Sequence, residues 1–260
     1  MLKGKCALVT GSVAGLGYAI AEALARSGAN VVVNGLCDPA EGRAAAARLA
    51  AEHGVESVFD PADLGDRAAV ERMAGDAAGR FGAVDIVVNN AVVRHFSAIE
   101  SFDPDDWQKS LSVNLTAPFL LARATLPAMK QRGWGRIVNI SSVFGWRGAA
   151  DRIDYVTTKT ALIGMTRAIA VETARTGVTC NAVCPGSVPT PAIMARIERI
   201  AQEQGRPVDE VAREYAAERN PTGRFVPMGH VGDLVVFLCS PAGNDITGTA
   251  MPIDGGWLAA

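Results

Sequence analysis

The chain has 260 residues, with 25 basic and 27 acidic side chains and a formal net charge of −2 at neutral pH. This balance excludes the strongly basic composition of typical nucleic-acid-binding proteins. With 49% hydrophobic and 20% charged residues, the chain also differs from disordered proteins. No apolar run reaches the roughly 18 residues that a membrane-spanning helix needs, so we expect no membrane partner.

The amino-terminal sequence MLKGKCALVT enters an apolar segment without the pattern of a signal peptide, which predicts a cytoplasmic protein. The five cysteines are scattered and odd in number, so we expect free thiols. Cys180 and Cys184 have a spacing seen in metal sites but no nearby histidine. We therefore predict that no metal is bound.

Short β-branched segments alternate with longer helical patterns along the chain. The predicted strands are 7–10, 31–34, 55–59, 86–89, 137–140, 178–183 and 251–253. The clearest predicted helices are 16–26, 40–51, 68–80, 107–130 and 156–174. This alternation predicts crossover connections and a parallel sheet, and the continuous Val and Ile runs predict helices on both faces. We expect an α/β fold: a single doubly wound Rossmann domain, residues 1–260, with a seven-stranded parallel sheet.

One charge-rich segment, at about 189–224, breaks this alternation after the sixth predicted strand. Ligands of open α/β sheets bind beyond the carboxyl ends of the strands, which is where this insertion begins. We therefore predict a helical lid over the substrate.

A glycine-rich turn, Thr10-Gly-Ser-Val-Ala-Gly-Leu-Gly17, follows the first predicted strand and opens a helix. Glycines allow the backbone to approach a pyrophosphate, and the helix N-terminus supplies free N–H groups. A dinucleotide site is therefore predicted here. An ordinary strand-to-helix turn remains the alternative, because three residues stand between the first two glycines instead of the usual one.

The residues after the second strand indicate which dinucleotide is preferred. A basic side chain there accommodates the 2′-phosphate of NADP, whereas residues 34–38 (NGLCD) contain none, which favours NAD. Asp38 either bonds to the ribose or caps the helix that begins at Pro39. After the third strand, Asp63 and Leu64 could contact the adenine. For Asp63, the alternative is a helix cap.

Tyr155 and Lys159 are four residues apart on a predicted helix and therefore share one face. A phenol with an ordinary pKa of about 10 is a weak base at neutral pH, but a neighbouring ammonium stabilises the phenolate. Ser142 follows the fifth strand, where its hydroxyl can hold a carbonyl oxygen. Asn114 lies amid apolar helical residues, either as a bonded amide in a kinked helix or as an anchor for a water leading to the lysine.

Jointly, these motifs, the Asn89-Asn90-Ala91 run and residues 185–190 (PGSVPT) resemble the classical short-chain dehydrogenases/reductases over essentially the whole chain. The resemblance implies that Tyr155 is the catalytic acid/base, assisted by Lys159, that Ser142 orients the carbonyl, and that Asn114 supports a proton-relay water. Val92 departs from the family, which usually has glycine there. The implied cofactor-binding residues are Gly11, Val13, Gly15, Leu16, Gly17, Leu36, Asp63, Leu64, Asn90, Tyr155, Lys159, Pro185, Gly186, Val188 and Thr190.

Within that family, the opening MLKGK, the GWGR sequence at 133–136 and the DGGW sequence at 254–257 resemble the bacterial D-3-hydroxybutyrate dehydrogenases, which are NAD-dependent. The resemblance implies a carboxylate pocket, but its usual glutamine, histidine, lysine and lid glutamine are replaced here. Guanidinium groups suit carboxylate, sulfonate or phosphate, so an acidic substrate is expected. Arg94, Phe144, Arg152 and Arg196 stand at the four replaced positions, and of the family's carboxylate-pocket residues only Trp257 is retained. The predicted substrate-binding residues are Arg94, Ser142, Phe144, Arg152, Tyr155, Arg196 and Trp257.

The sequence therefore predicts an NAD-dependent oxidoreductase that interconverts a secondary alcohol and a ketone on a small acidic substrate, such as a 3-hydroxy acid or a larger oxo/hydroxy acid. An NADPH-dependent 3-oxoacyl thioester reductase is one alternative. A nonenzymatic dinucleotide-sensing module is another. The resemblance also implies a homotetramer, and we expect no nucleic-acid partner.

Overall fold

The computed structural model describes all 260 residues. Seven strands form one sheet in the order β3-β2-β1-β4-β5-β6-β7, and every neighbouring pair is parallel. The expected α/β fold class and seven-stranded sheet are confirmed. The strands are β1 (Cys6–Val9), β2 (Asn30–Asn34), β3 (Ser57–Asp60), β4 (Ile86–Asn89), β5 (Gly135–Ile140), β6 (Val178–Pro185) and β7 (Ala250–Ile253).

The helices are α1 (Gly15–Arg26), α2 (Pro39–His53), α3 (Arg67–Phe81), α4 (Pro104–Leu111), α5 (Ala117–Gln131), α6 (Ile153–Thr173), α7 (Pro191–Gln204), α8 (Val208–Ala217) and α9 (Met228–Cys239). The prediction of one continuous helix over 107–130 is wrong, because a π-helical turn, Ser112–Thr116, separates α4 from α5. Such turns arise where a local interaction competes with the regular helical hydrogen bonds.

Helices cover both faces of the sheet. Successive strand residues point to opposite faces, and accordingly Val31 and Val33 belong to one buried cluster while Val32 belongs to the other. Helices α1 and α9 pack on the first face, and α3 and α5 on the second.

The five cysteines are all free thiols. None of the helices combines the length and apolar composition needed to cross a bilayer.

The strand order reverses between β1 and β4, which opens a crevice at the carboxyl ends of these strands. The segment after β6, expected to form a lid, folds into α7 and α8. These two helices have their own small core, centred on Ile197, Ala201 and Val211. The pair is therefore packed mainly on itself at the edge of the crevice.

Candidate active site

The glycine turn after β1 has a backbone that only glycine accommodates. Gly11 and Gly15 both have φ of 60°, in the left-handed region. A Cβ at Gly17 would lie 2.0 Å from the carbonyl oxygen of Gly11 and 2.5 Å from Nδ2 of Asn90. The side chain of Asn90 holds this turn by donating to the carbonyl oxygens of Thr10 (3.0 Å) and Gly11 (2.9 Å). The N-terminus of α1 is thereby left open to an anion, as a dinucleotide pyrophosphate requires.

A cavity of about 560 Å³ runs from this turn to α6. The side chain of Val13, which we expected at the cofactor, does not line it: the methyl group Cγ2 lies over Gly35, only 2.8 Å from where a Cβ would stand. The predicted cofactor residues that do line the cavity are Gly11, Gly15, Leu16, Gly17, Leu36, Asp63, Leu64, Asn90, Tyr155, Lys159, Pro185, Gly186, Val188 and Thr190.

The end of β2 presents an apolar side chain to this cavity. Leu36 is 71% exposed and lines it, whereas Asp38 accepts a hydrogen bond from the backbone N–H of Ala40 at 2.7 Å and caps α2. Of the two alternatives for Asp38, the structure therefore shows the cap. The cationic residues that line the cavity are Arg94, Lys109 and Lys159, none of them on the β2 turn. Lys109, on α4, was not identified from the sequence.

Lys159 is buried beside Tyr155. Its Nζ lies 5.6 Å from the centroid of the Tyr155 ring and donates to the carbonyl oxygen of Ile140 at 2.7 Å. Burial, reinforced by the positive charge of Arg94, lowers the pKa of Lys159 to about 7, while Cys184 opposes this shift. The α6 spacing therefore places both side chains at the same cavity, as predicted.

Ser142 and Asn114 are held by backbone groups. The Oγ of Ser142 accepts from the backbone N–H of Phe144 at 3.2 Å and keeps its own proton free to donate toward the cavity. The Asn114 amide accepts from the N–H of Val93 and donates to its carbonyl oxygen, both at 2.9 Å. The bonded-amide alternative therefore describes the Asn114 side chain, and its role in a proton relay stays a prediction.

A second cavity, of about 1200 Å³, shares Arg94, Ser142 and Tyr155 with the first, so the two meet at the predicted catalytic residues. Its lining includes every predicted substrate-binding residue: Arg94, Ser142, Phe144, Arg152, Tyr155, Arg196 and Trp257. Phe144 packs edge-on against the Trp257 ring at a centroid distance of 5.6 Å and against Tyr155 at 6.2 Å. These rings form an apolar wall next to the tyrosine.

Arg152 is held against aromatic rings. Its Cζ lies 4.3 Å from the centroid of Phe96, 5.5 Å from that of Phe144 and 5.7 Å from that of Tyr155. Arg94 lies at the same distance from this tyrosine, with its Cζ 5.7 Å from the ring centroid. Neither arginine forms an ion pair within the protein. Both are therefore available to an anionic ligand beside the tyrosine.

Phe96 was not predicted as a site residue, because it lies in the loop that follows β4 and only the fold brings it under Arg152. Tyr215 was also missed. It comes from α8 and lines the second cavity. No sequence motif marked either position.

Comparison with known proteins places this geometry among oxidoreductases. The family model described as enoyl-(acyl carrier protein) reductase matches residues 11–258. The D-β-hydroxybutyrate dehydrogenase of Cupriavidus necator is 44% identical over 259 residues, covering 100% of both chains. The enzyme of the same name from Rhizobium meliloti is 38% identical over 255 residues, covering 98% of this chain and 99% of its own. The structure of L-sorbose reductase from Gluconobacter frateurii, complexed with NADPH and L-sorbose, superposes with a TM-score of 0.95 at 28% identity, covering 100% of this chain and 98% of the other.

Proposed function

The chain belongs to the short-chain dehydrogenase/reductase family and interconverts a secondary alcohol and a ketone, and we propose that it uses NAD on a small anionic substrate. The candidate substrates are a 3-hydroxy acid or a larger oxo/hydroxy acid. The observation that carries this proposal is that two guanidinium groups without ion-pair partners, those of Arg94 and Arg152, each lie 5.7 Å from the centroid of the Tyr155 ring. An anionic group bound there would hold a nearby hydroxyl or carbonyl at the tyrosine.

The residues of the first cavity fit a nicotinamide dinucleotide. The glycine turn packs tightly, since a Cβ at Gly17 would collide with the carbonyl oxygen of Gly11, and the first residues of α1, Gly15 to Gly17, line the cavity where a pyrophosphate would bind. Bound dinucleotide supplies hydride transfer, the chemistry that no amino-acid side chain provides. Lys159, from its buried position beside Tyr155, would hold the nicotinamide ribose.

In the proposed mechanism, the Oη of Tyr155 moves a proton at the substrate oxygen. During alcohol oxidation the tyrosine accepts the hydroxyl proton, and during ketone reduction it returns one. The Oγ of Ser142 donates a hydrogen bond to the same oxygen and fixes its orientation. When Lys159 is protonated, its positive charge stabilises the phenolate, because its Nζ is 5.6 Å from the tyrosine ring centroid.

The preference for NAD is supported by the end of β2. Leu36 offers no partner to a 2′-phosphate, and Asp38 would repel one if it approached. Dinucleotide binding itself is common to the family, and the L-sorbose reductase structure contains NADPH. The choice between the two nucleotides therefore depends on this chain's own residues.

The test is a dehydrogenase assay with NAD and NADP across a panel of mono- and dianionic hydroxy acids. We expect kcat/KM to be at least about tenfold higher with NAD, a difference of about 1.4 kcal/mol. Preference for NADPH together with reduction of 3-oxoacyl thioesters would favour the thioester reductase instead. Binding of NADH without turnover of any alcohol in the panel would favour the sensing module.

We also propose that α7 and α8 close over the substrate as a lid. A homotetramer built partly on α5 and α6 is supported by apolar side chains on their outer faces: Phe119 is 52% exposed and Val171 is 81% exposed. Light scattering should then give four times the 27.1 kDa chain mass. The cytoplasmic location expected from the sequence stays a prediction.

A further inference from the structure

We propose that the substrate carries two negative groups, one bound by Arg94 and Arg152 and the other by Arg196 and Arg199 of the lid helix α7. This inference rests on the proposed function and names its substrate class as a hydroxy or oxo dicarboxylate. Both anion positions would lie in the second cavity, which all four of these arginines line.

The charge lining this cavity exceeds what one carboxylate neutralises. Glu218 is already paired with Arg219 at 3.0 Å, so it does not balance the other arginines. Asp151 is exposed to solvent and forms no ion pair. The charged lining residues are five arginines, Arg94, Arg152, Arg196, Arg199 and Arg219, and two carboxylates, Asp151 and Glu218.

The fold holds several of these guanidinium groups close enough to repel one another. The pKa of Arg152 is lowered first by burial and then by the neighbouring charges of Arg94 and Arg196, against an opposing effect of the tyrosines Tyr155 and Tyr215. Arg152 cannot move away freely, because it is packed on Phe96. Bound anions would relieve this repulsion.

The position of α7 separates the lid arginines from the reacting centre. Ile193 lines both cavities at the start of α7, whereas Arg196 and Arg199 line only the second. From Ile193 to Arg199 the helix advances about 9 Å. Arg199 has only a distant, exposed ion pair with Glu203, at 3.8 Å, and Arg196 has none. Both are therefore free to bind an anion, and Arg199 lies farther along α7 from Ile193 than Arg196 does.

A matched pair of substrates tests the second anion site. 3-Hydroxyhexanoate and 3-hydroxyhexanedioate have the same chain length and differ only in a terminal methyl or carboxylate group. With saturating NAD, we expect kcat/KM to be at least about tenfold higher for the diacid, as a charge-assisted hydrogen bond would give.

The variants Arg196→Gln and Arg199→Gln should each lower kcat/KM for the diacid about tenfold and change that for the monoacid by less than about twofold. Arg213→Gln is the matched control, because Arg213 is an exposed arginine of α8 that does not line the cavity. It should change neither value.

The outcomes separate this inference from the proposed function. Equal kcat/KM for the two acids, or equal losses for both in the lid variants, would overturn the second anion site and leave the proposed function standing. If neither acid is oxidised, the proposed acidic substrate is overturned, and this inference with it.

Discussion

The backbone N–H of His95 donates to the carboxylate of Asp154 at 3.2 Å, joining the loop after β4 to the start of α6. Asp154 is completely buried, and its Oδ2 also accepts from Ser110 Oγ at 2.7 Å. Arg94 immediately precedes His95, and Tyr155 immediately follows Asp154. One buried carboxylate thus links the loop that carries Arg94, the proposed anion-binding residue, to the helix that carries Tyr155, the proposed acid/base.

Replacing this carboxylate should loosen the loop that carries Arg94, because the hydrogen bond from the His95 backbone would be weakened. In Asp154→Asn, one acceptor oxygen becomes a donor that faces other donors, so we expect a loss of stability of about 1–3 kcal/mol. The KM for anionic substrates should rise several-fold, with a smaller change in kcat. Steady-state kinetics and thermal unfolding measure the two effects. Asp245→Asn, at an exposed position, is the control. A KM of Asp154→Asn equal to that of the wild type would contradict this positioning role.

Removing the tyrosine hydroxyl should stop proton transfer without closing the dinucleotide cleft. For Tyr155→Phe we expect turnover to fall at least about 100-fold. Binding of NADH, followed by fluorescence titration, should be retained because the ring remains in place. Tyr18→Phe is a suitable control, because Tyr18 bonds to Arg48 and lines neither cavity. Undiminished turnover of Tyr155→Phe would refute the acid/base role.

The proposed anion site at Arg94 and Arg152 makes a prediction about substrate charge. Arg152→Gln keeps a polar side chain on Phe96 but removes the guanidinium group. We expect KM to rise at least about tenfold for hydroxy acids and much less for neutral secondary alcohols. A parallel series of acids and their methyl esters measures this difference. Equal changes for both series would remove the anion site at Arg152.

Burial of Lys159 predicts a pH-dependent stability. Its pKa falls from 10.5 to about 7 on folding, so between these pH values the unfolded chain binds more protons than the folded protein. The free energy of unfolding therefore rises with pH across this window through Lys159. In Lys159→Met this contribution is absent, so the stability difference, wild type minus variant, should grow as pH rises. Denaturant unfolding without dinucleotide measures it, and Lys3→Met controls for the loss of an exposed lysine. A pH-independent difference would contradict the assignment.

The glycine turn makes a steric prediction. In Gly17→Ala, the new Cβ would collide with the carbonyl oxygen of Gly11 and displace the turn that faces the pyrophosphate. We expect the Kd for NADH to increase at least about tenfold. Gly75→Ala, on α3, is the matched control, because a Cβ there meets no atom within 4 Å. That change should leave NADH affinity unaltered and slightly raise stability.

Most of the fold could be predicted from the sequence because its signals are local. Val and Ile runs alternating with helical patterns were enough for seven parallel strands, since a buried parallel strand must be apolar on both faces. The four-residue spacing of Tyr155 and Lys159 is also a local signal, because residues four apart share one face of a helix. The π-helical turn at Ser112–Thr116 was missed, because it accompanies hydrogen bonds between Asn114 and the distant Val93.

The sheet, the glycine turn and the candidate reactive side chains could all be inferred from the sequence, because they depend on residue type and on spacing within one element. The folded chain was needed to show which arginines share a cavity: Arg152 lies on Phe96, and Arg196 reaches the same cavity from α7. It also decided that Val13 packs over Gly35 and that Lys109 reaches the dinucleotide cleft. Contacts of the loops with α7 depend on packing across the sheet edge, for which neither periodicity nor propensity provides a signal.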